Sequence, residues 1–519
     1  MSSEPGTVLG YDFGTSSVKA GLFDRDGRIT ASSSAPYPLA LPGDGLAEQN
    51  PLDWWQAMAR ATRVILDAPG VRRESIAGIG LAAQMCGTVP VDAAGVPLHP
   101  CLIWLDTRSA GIARRITGGG PRIAGYGLLA LLRWLPATNG VPNLSGNDPL
   151  SKMLWFRESQ PEIWRRCAKF LDVKDWLLHR CTGRFATTAD AAQLTWLMDN
   201  RPGRQRWSES LAQRVGIALE RLPEIVGAGE TAGALTADAA AHLGLRAGLP
   251  VSGGAGDLNA FALASGAQRI GAQHLCVGTS LWFSAYVPGR KVDPFSGIAT
   301  LCAAQRDRYL LVATQECAGS AVQWSAAALG FGEGSQAVAA LDAAAARARP
   351  GEQTPLFFPW LHGERVPVDD RHLRGGFSGA SLASGRDDLA YATLAGVALN
   401  ARWALERMNR LAPPAQAAIS FMGGGARSAA WGQVFADILQ RPLRVPAAPH
   451  LAGARGAAMT AALAAGWHAD FAHAFPGTAF EREHEPDPGR RAWSEDHYAR
   501  FVGFHRATRA WYRAAAAAR

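Results

Sequence analysis

The sequence of 519 residues has only seven cysteines and no long apolar run. The cysteines are odd in number and form no CxxC pair, which argues against a disulfide framework and a zinc site and favours a reducing compartment. The longest apolar candidate, Tyr126–Leu135, contains Arg133 and is shorter than the ~20 residues that cross a bilayer. The N-terminus also lacks the basic region and apolar core of a signal peptide. We therefore expect a soluble, cytoplasmic protein with no membrane partner.

Common enzyme motifs are absent too. The chain contains no GxxxxGK(S/T) phosphate loop, no HExxH pair and no GxSxG nucleophile elbow. A GxGxxA match, Gly78–Ala83, lies inside an apolar strand that continues into another strand. A Rossmann dinucleotide site needs this motif at a strand-to-helix turn, so the match does not predict one.

The charge is positive but dispersed. The chain carries 52 basic and 44 acidic residues, which gives a net charge of +8. Five of the basic residues are lysines, and the arginines form no block of five or more. Nucleic-acid binding needs clustered charge rather than a high total. We therefore expect no nucleic-acid partner, whereas a phosphate-bearing small molecule fits the same charge.

Strands alternate with helices along the chain, which is typical of an α/β fold. The N-terminus predicts a strand (Thr7–Phe13), a Gly-Thr-Ser turn and a second strand (Val18–Phe23). The same order recurs in Gln273–Val277 and Leu281–Val287, again around Gly-Thr-Ser. Two such units about 265 residues apart indicate two related halves that face one another.

Other segments predict the elements around these units. Arg28–Tyr37 supplies a third strand, and Ser75–Val91 predicts a strand pair around Gln84–Gly87. We place the domain border after residue 258, which divides the chain into residues 1–258 and 259–519. Helices are predicted at Asn50–Asp67, Asp148–Glu158, Pro161–Lys169, Lys174–Cys181, Leu389–Leu411, Ala452–Gly466 and Ser494–Ala517.

Asp12 is the first residue with a chemical signal. A carboxylate at the end of an apolar strand is costly unless it is exposed in a cleft or paired. The turn that follows, Gly14-Thr15-Ser16, can present backbone N–H groups and hydroxyls to phosphate oxygens. Mg²⁺ suits a site with one or two carboxylates that keeps several waters, so Asp12 is a candidate anchor for it. The alternative is that Asp12 only closes a hairpin turn.

Asp257 stands in GGAGDLNA, directly before an apolar helix. It could cap that helix by accepting hydrogen bonds from the first free amides, and spacing alone favours this role. It could also act as a general base that takes the proton from an attacking hydroxyl.

Three further segments could contribute to a binding site. Gly278-Thr279-Ser280 repeats the phosphate turn in the second half, and the glycines of Gly423–Ser428 open a helix whose N-terminus attracts anions or lets a flat ring approach. The alternative for the triple glycine is a flexible loop. Trp104 and Asp106, followed by Arg108, suit carbohydrate recognition, although a tryptophan in an apolar run is more often part of a core.

Taken in order, these segments resemble the FGGY family of carbohydrate kinases, and most closely its xylulokinase branch. The resemblance covers roughly residues 8–466 and rests on YDFGTSSVKAGLFD, AEQNPLDWW, QMCG, IWLDTR, SGGAGDLNA, VGTS, FFPWLHGERVP and MGGGARSAAWGQVFADILQRPLRVP. It implies two ribonuclease-H-like domains of the actin/hexokinase type, with ATP and sugar in the catalytic cleft between them.

The resemblance also implies roles for individual residues. Asp257 would be the catalytic base and touch the sugar, and Asp12 would organise Mg²⁺. The residues expected to bind the phosphates and the nucleotide are Gly14, Thr15, Ser16, Gly278, Thr279, Gly424, Gly425 and Ser428. The residues expected to face the sugar are Gln84, Met85, Cys86, Trp104 and Asp106.

The implied reaction is ATP-dependent phosphorylation of D-xylulose to D-xylulose 5-phosphate. Cys86 stands where the xylulokinase pattern has histidine, and thiols are weak hydrogen-bond donors, so ribulose, another pentulose or a sugar alcohol stays open as the substrate. Two departures accompany it: Leu105 and Thr107 replace the residues that usually flank the acidic residue between them, and Gly118–Asn147 is longer than the family usually shows. This segment either reshapes the pocket mouth, forms a subunit contact or is a surface insertion.

Other classes of function remain as alternatives to the sugar kinase. One is a non-kinase ATPase of the actin-like fold, and the other is a catalytically silent sugar sensor. Retention of both Asp12 and Asp257 argues against the sensor. A homodimer is the expectation that comes with the family.

Overall fold

The structure is a computed structural model that describes residues 6–123, 125–266, 268–293, 296–476 and 479–517. The strands of the described residues are, in chain order, β1 (Thr7–Phe13), β2 (Ser17–Asp24), β3 (Ile29–Pro36), β4 (Ala40–Gly43), β5 (Leu46–Gln49), β6 (Ile76–Ala83), β7 (Val89–Val91), β8 (Cys101–Leu102), β9 (Arg122–Ile123), β10 (Tyr126–Gly127), β11 (Lys169–Leu171), β12 (Ala186–Thr188), β13 (Met198–Asp199), β14 (Arg206–Trp207), β15 (Glu224–Val226), β16 (Thr231–Ala234), β17 (Pro250–Ser252), β18 (Ala255–Gly256), β19 (Gln273–Val277), β20 (Leu281–Val287), β21 (Val292–Asp293), β22 (Ile298–Cys302), β23 (Tyr309–Gln315), β24 (Leu356–Phe358), β25 (Gly376–Ser378), β26 (Ile419–Met422), β27 (Leu443–Pro446) and β28 (Phe480–His484).

The α-helices are α1 (Pro51–Leu66), α2 (Ala110–Thr117), α3 (Leu128–Thr138), α4 (Pro149–Ser159), α5 (Pro161–Arg166), α6 (Val173–Thr182), α7 (Ala189–Gln193), α8 (Glu209–Val215), α9 (Ala237–Leu243), α10 (Asp257–Ala264), α11 (Gly319–Ala328), α12 (Gly334–Arg347), α13 (Arg386–Leu411), α14 (Ala429–Leu439), α15 (Ala452–Ala464) and α16 (Arg491–Ala517).

Two large sheets share one topology. The first runs in the order β16-β17-β6-β1-β2-β3, and the second in the order β21-β22-β23-β20-β19-β26-β27-β28. In each, an antiparallel meander (β1-β2-β3 and β19-β20-β23) is extended by two parallel strands (β6 and β17; β26 and β27). This repeated order confirms two related halves of the ribonuclease-H-like type.

Most predicted elements form close to the expected bounds. α1 begins at Pro51 after Asn50, whose side chain accepts a hydrogen bond from the Leu52 amide at 3.1 Å, as the N-cap pattern predicts. Its apolar face buries Trp54 and Trp55 against the first sheet. Burial of two large aromatic side chains fixes this helix on the sheet.

Two element predictions need correction. The strands predicted in Ser75–Val91 both form, but they do not pair with each other. β6 lies between β1 and β17, so both of its edges are taken, and β7 pairs with β11 instead. The helix predicted at Pro161–Lys169 ends at Arg166 because Lys169 begins strand β11.

Two helices, α15 and α10, connect the two halves. α15 lies in the chain between β27 and β28 of the second sheet but packs on β1 and β6 of the first sheet, at glycines: a Cβ on Gly80 would lie 1.8 Å from the Ala457 carbonyl oxygen. α10 packs on α15 equally closely, since a Cβ on Gly456 would lie 1.9 Å from the Ala260 carbonyl oxygen. The other face of α10 meets the second sheet through Phe261. The glycines of Gly78–Ala83 therefore serve helix packing and not a dinucleotide.

The long segment 118–147 also joins the two halves. It forms the β9–β10 hairpin and α3, which buries Trp134 but leaves Leu129 and Leu132 more than 60% exposed. The Asn139 side-chain amide then donates hydrogen bonds to the Lys291 carbonyl and to the Thr300 hydroxyl, both at 3.0 Å. The segment is thus an interdomain contact as well as a surface element.

All seven cysteines are free thiols, as their spacing predicts. Within the part of the chain that the structure describes, no helix combines the length and the apolarity required to cross a membrane.

Candidate active site

Asp12 lies near the end of β1, opposite Lys19 on β2. Its side chain is buried against the start of α15, where a Cβ on Gly453 would lie 2.2 Å from Asp12 Oδ2. Burial raises the pKa of Asp12 to about 6, and the Lys19 charge acts in the opposite direction. Among the described residues, no donor forms a hydrogen bond with this carboxylate. It is therefore available to a ligand.

Asp257 is the first residue of α10. The N-cap position belongs to Gly256, which corrects the cap role suggested by spacing, and Asp257 Oδ1 accepts a hydrogen bond from the Leu258 amide at 2.8 Å. Burial, followed by the negative charge of Asp12, raises the pKa of Asp257 to about 7. A carboxylate that titrates near neutral pH is suited to accept a proton.

The two carboxylates interact electrostatically with each other and with the second sheet. Cys276, on β19 of the second sheet, is buried, and its pKa is raised first by burial and then by the charge of Asp257, with a further contribution from Asp12. Asp12 and Asp257 are therefore close enough to each other and to β19 for their charges to act on one another.

Hydrogen bonds from neighbouring residues fix the first predicted phosphate turn, Gly14–Ser16. The Gly14 amide donates to the Ser17 carbonyl at 3.1 Å, while the Trp104 indole N–H donates to Thr15 Oγ1 at 3.1 Å. Ser16 is exposed. The Gln49 side-chain amide donates to the Thr15 carbonyl at 2.7 Å. Trp104, expected to face the sugar, thus lies directly beside the phosphate turn.

Gln84 connects this turn to the sugar-side residues. Its Nε2 donates to Gln49 Oε1 at 2.7 Å, and its backbone amide donates to the Phe13 carbonyl at 2.8 Å. Within the described chain Gln84 Oε1 is buried without a hydrogen-bond partner. Buried polar atoms normally have partners, so this oxygen is free to accept one from a ligand.

Met85 and Cys86 follow in a tight turn. Met85 packs on the loop before α10, where a Cβ on Gly256 would lie 2.5 Å from Met85 Sδ. Cys86 has a φ of +65°, in the left-handed region. Burial raises the pKa of the Cys86 thiol to about 12, so the side chain is a neutral thiol at physiological pH. This turn adjoins Asp257, whose charge also acts on the thiol.

Asp106 is fully buried, and its carboxylate is already bound by groups of the protein itself. Its carboxylate accepts a hydrogen bond from the Ala47 amide at 2.8 Å and pairs with Arg108 at 2.7 Å. Arg108 in turn pairs with Glu48 at 2.6 Å. Both carboxylate oxygens are used by protein donors, so Asp106 fixes the loop that carries Trp104.

Backbone hydrogen bonds join the second predicted phosphate turn, Gly278–Ser280, to the residues that begin α11. The Gly278 carbonyl accepts a hydrogen bond from the Gly319 amide at 2.9 Å, and the Thr279 carbonyl accepts one from Ser320 at 3.1 Å. The Thr279 side chain is exposed. The turn therefore has a fixed backbone and a free hydroxyl, which is the arrangement expected at a phosphate.

The triple-glycine turn forms a 3-10 helix rather than a flexible loop. A Cβ on Gly424 would meet no atom within 4 Å, whereas a Cβ on Gly425 would lie 2.6 Å from Val277. Ser428 is the N-cap of α14: its hydroxyl accepts a hydrogen bond from the Trp431 amide at 2.9 Å and donates one to Asp342. Gly424 thus borders open space, while the Ser428 hydroxyl is used within the protein.

A buried polar network behind Asp257 was not predicted from the sequence. Asp190, on α7, accepts hydrogen bonds from the Gly256 amide at 2.7 Å and from the Asn259 side chain at 3.1 Å. Asn259 also donates to the Cys302 carbonyl at 3.0 Å in the second half. The only sequence signal was a carboxylate inside the small-residue run TTADAAQ.

These features define a class of protein: two ribonuclease-H-like halves of the actin/hexokinase type, each with an antiparallel strand pair around a Gly-Thr-Ser turn. Residues 7–264 match the FGGY family of carbohydrate kinases, N-terminal domain, and residues 275–465 match the C-terminal domain of that family. The chain belongs to the FGGY family of carbohydrate kinases and is an ATP-dependent sugar kinase.

Similar proteins cover nearly the whole chain. A xylulose kinase from Escherichia coli (strain K12) is 30% identical over 485 residues, or 93% of this chain and 95% of that protein. A gluconokinase from Bacillus subtilis (strain 168) is 27% identical over 447 residues, or 85% and 84% of the two chains. The crystal structure of a xyloylose kinase from Brucella ovis has a TM-score of 0.86 at 28% identity and covers 97% of this chain and 100% of that one. Plasmodium falciparum glycerol kinase with ADP, at 19% identity, shares the fold, with a TM-score of 0.81 over 96% of this chain and 98% of that one.

Proposed function

We propose that the protein transfers the γ-phosphoryl group of Mg-ATP to a hydroxyl of D-xylulose, giving D-xylulose 5-phosphate, with Asp257 as general base. The observation that supports the proposal is the position of Asp257: the first turn of α10, next to Gly256, which contacts Met85, and with its pKa raised to about 7. The identity to xylulose kinases supports the choice of sugar.

Asp257 would hold the acceptor hydroxyl and take its proton as the phosphoryl group arrives. Phosphoryl transfer has a loose transition state, so alignment of the hydroxyl with the phosphate supplies most of the rate, and a base adds about 10²–10⁴-fold. The Leu258 amide fixes one Asp257 oxygen at 2.8 Å, which leaves the other oxygen to the sugar.

Asp12 is the residue proposed to organise Mg²⁺. Among the described residues, no group of three or more His, Cys, Asp or Glu side chains could hold a metal ion. Mg²⁺ usually needs only one or two carboxylates together with waters and substrate phosphates, so the single buried, unpaired carboxylate of Asp12 fits. When bound, the ion neutralises charge on the transferring phosphoryl group.

The remaining residues would bind the two substrates. The turns at Gly14–Ser16 and Gly278–Thr279 offer amides and hydroxyls to the phosphates, and the open side of Gly424 suits the adenosine, with Gly425 packed on Val277 beneath it. Gln84, through its unpartnered oxygen, is proposed to face the sugar with Met85, Cys86 and Trp104. Asp106 is proposed to act on the sugar only through the loop that it fixes.

The test is a coupled ADP-release assay over pentuloses, hexuloses, polyols and gluconate. We expect D-xylulose to give the highest kcat/KM and the product to carry phosphate on O5. Gluconate belongs in the set because a gluconokinase is among the relatives. A higher kcat/KM for ribulose, a polyol or gluconate would overturn the choice of sugar and leave the kinase activity in place.

Two structural expectations also stay proposals. We propose a domain border between residues 258 and 259, within the first turn of α10, and a homodimer in solution. Limited proteolysis with mass spectrometry tests the first, and light scattering of the purified protein tests the second.

A further inference from the structure

Lys152 is a fully buried lysine on α4. Its ammonium donates three hydrogen bonds, to the backbone carbonyls of Ile103 at 2.7 Å, Asn147 at 2.8 Å and Cys86 at 2.9 Å. A lysine ammonium has three donors, so every one of them is used. No ion pair involves this side chain within the described residues, and the nearest opposing charges, Asp106 and Asp148, act on it only at longer range.

The three carbonyls come from three separate parts of the sugar side. Cys86 belongs to the turn after β6, Ile103 directly precedes Trp104, and Asn147 ends the long segment that joins the two halves. The Cys86 and Ile103 segments are also joined by a β-bridge between Thr88 and Leu102, whereas Asn147 lies outside that bridge. The ammonium therefore ties the Asn147 segment to this bridged pair and holds all three carbonyls around one point.

The contact with Cys86 holds a conformation that the chain would otherwise avoid. Cys86 has a φ of +65°, in the left-handed region that residues other than glycine seldom adopt. Lys152 holds the Cys86 carbonyl, and Asp172 Oδ1 accepts a hydrogen bond from the Gly87 amide at 2.7 Å on the other side of the same peptide bond. Both ends of this peptide are therefore fixed, and with them the direction of the Cys86 side chain.

The helix that carries Lys152 is itself rigid. Asp148 is the N-cap of α4, and its carboxylate also accepts a hydrogen bond from the Asn143 amide at 2.6 Å. Met153, Leu154 and Phe156 on the same helix are buried in a separate apolar cluster. A site is precise when such supporting residues are locked by packing.

We propose that Lys152 is a positioning residue for the sugar, which sets the geometry of the sugar pocket by tying the Cys86, Ile103 and Asn147 segments together. The inference rests on the proposed function, in which these segments face the sugar. It implies that loss of the ammonium damages sugar binding, while the proposed adenosine side at Gly424, which belongs to the second half, is retained.

The test measures KM for the sugar and for ATP separately in Lys152→Met and Lys152→Arg. Methionine keeps the length and apolar stem but leaves three buried carbonyls unpaired, and arginine keeps the charge but not the compact geometry of three donors. We expect KM for the sugar to rise about 10-fold or more in both variants, with KM for ATP changed by less than about twofold. Circular dichroism and thermal unfolding establish that each variant is folded.

Two further variants make the result decisive. Lys169→Met is the matched control, because its ammonium donates to one carbonyl, that of Leu222, at 2.9 Å and contacts none of the three loops.

Met85→Ala tests the sugar side itself. If Met85→Ala raises the sugar KM and folded Lys152→Met and Lys152→Arg do not, the inference about Lys152 is wrong. If neither position affects the sugar KM, the assignment of the sugar side is wrong. If Lys152→Met does not fold, Lys152→Arg alone decides, through the same comparison of the two KM values.

Discussion

The carboxylate of Asp12, near the end of a strand in the first sheet, adds to the effect of burial in raising the pKa of Asp257, at the start of a helix that packs on the second sheet. The two residues are distant in sequence and belong to different elements. Burial and this electrostatic interaction together favour the protonated form of Asp257, while Asp12 has no hydrogen-bond donor among the described residues and is free for a cation.

Replacement of Asp257 by asparagine should remove the base and keep the shape of the side chain. We expect kcat to fall about 10²–10⁴-fold, with ATP binding retained, as measured by ADP release and by nucleotide titration. Asp437→Asn is the control, since Asp437 is also a carboxylate that accepts a backbone amide, but in α14. Substantial turnover in Asp257→Asn would rule out the base assignment.

The reaction should depend on pH through the same residue. The pKa of Asp257 is raised to about 7, and a general base works only when it is deprotonated. Mg²⁺ at Asp12 would offset the part of this raise that comes from the Asp12 charge and leave the part that comes from burial. We therefore expect kcat/KM to fall about tenfold per pH unit below a midpoint that lies above the ordinary range of an aspartate and at or below about pH 7, measured between about pH 5 and pH 9 at saturating Mg²⁺. A profile that stays flat down to about pH 5 would contradict the raised pKa.

Cys86 offers a direct test of sugar selection. Cys86→His introduces a ring donor in place of a weak thiol donor, and histidine is enriched among non-glycine residues with positive φ, so the turn should accept it. One added hydrogen bond is worth about 1 kcal/mol, so we expect KM for D-xylulose to fall several-fold. Cys86→Ala is the control without a donor. An unchanged KM in Cys86→His would show that this side chain does not face the sugar.

Gly424 tests the nucleotide side. Its missing side chain borders open space, so Gly424→Val should leave the melting temperature unchanged. If the adenosine occupies that space, the new side chain would cost about 1–3 kcal/mol of binding, which is about tenfold or more in KM for ATP. KM for the sugar should not change. An unaltered KM for ATP would place the nucleotide elsewhere.

Asp190 should influence catalysis without touching either substrate. Asp190→Asn replaces one acceptor oxygen by a donor. Oδ2 accepts from both the Gly256 amide and Asn259, and Oδ1 accepts from Thr188 and Ala191, so either orientation of the new amide disturbs two of these hydrogen bonds. We expect kcat to fall about 10-fold or more while both KM values stay within about twofold, because the first turn of α10 loses its alignment. The Asp437→Asn variant should lose stability in a similar way and keep its kcat. Equal kcat values for the two variants would show a role in stability alone.

The parts of the site that follow local rules could be predicted from the sequence. The Gly-Thr-Ser turns, the strand that ends near Asp12 and the helix that starts at Asp257 have local signals in turn chemistry and periodicity. The repeated strand order of the two sheets follows from the repeated turn.

The remaining parts depend on contacts between distant residues. Lys152 and Asp190 act through hydrogen bonds to backbone atoms in other segments, which no spacing pattern records. The role of Asp106 could not be predicted from its own motif, because its carboxylate accepts a hydrogen bond from the amide of Ala47, which lies on the separate strand β5. The strand pair expected around Gln84–Gly87 was wrong because pairing depends on which sheet edges are already occupied.

The placement of α15 has a consequence for any attempt to divide the enzyme. This helix belongs to the second half in sequence, yet it covers Gly10 and Gly80 of the first sheet. A fragment that stops at residue 258 would present these bare glycine-lined strands to solvent, and the complementary fragment would carry a detached apolar helix. The two fragments should therefore aggregate when produced singly and recover a native fold only when produced together.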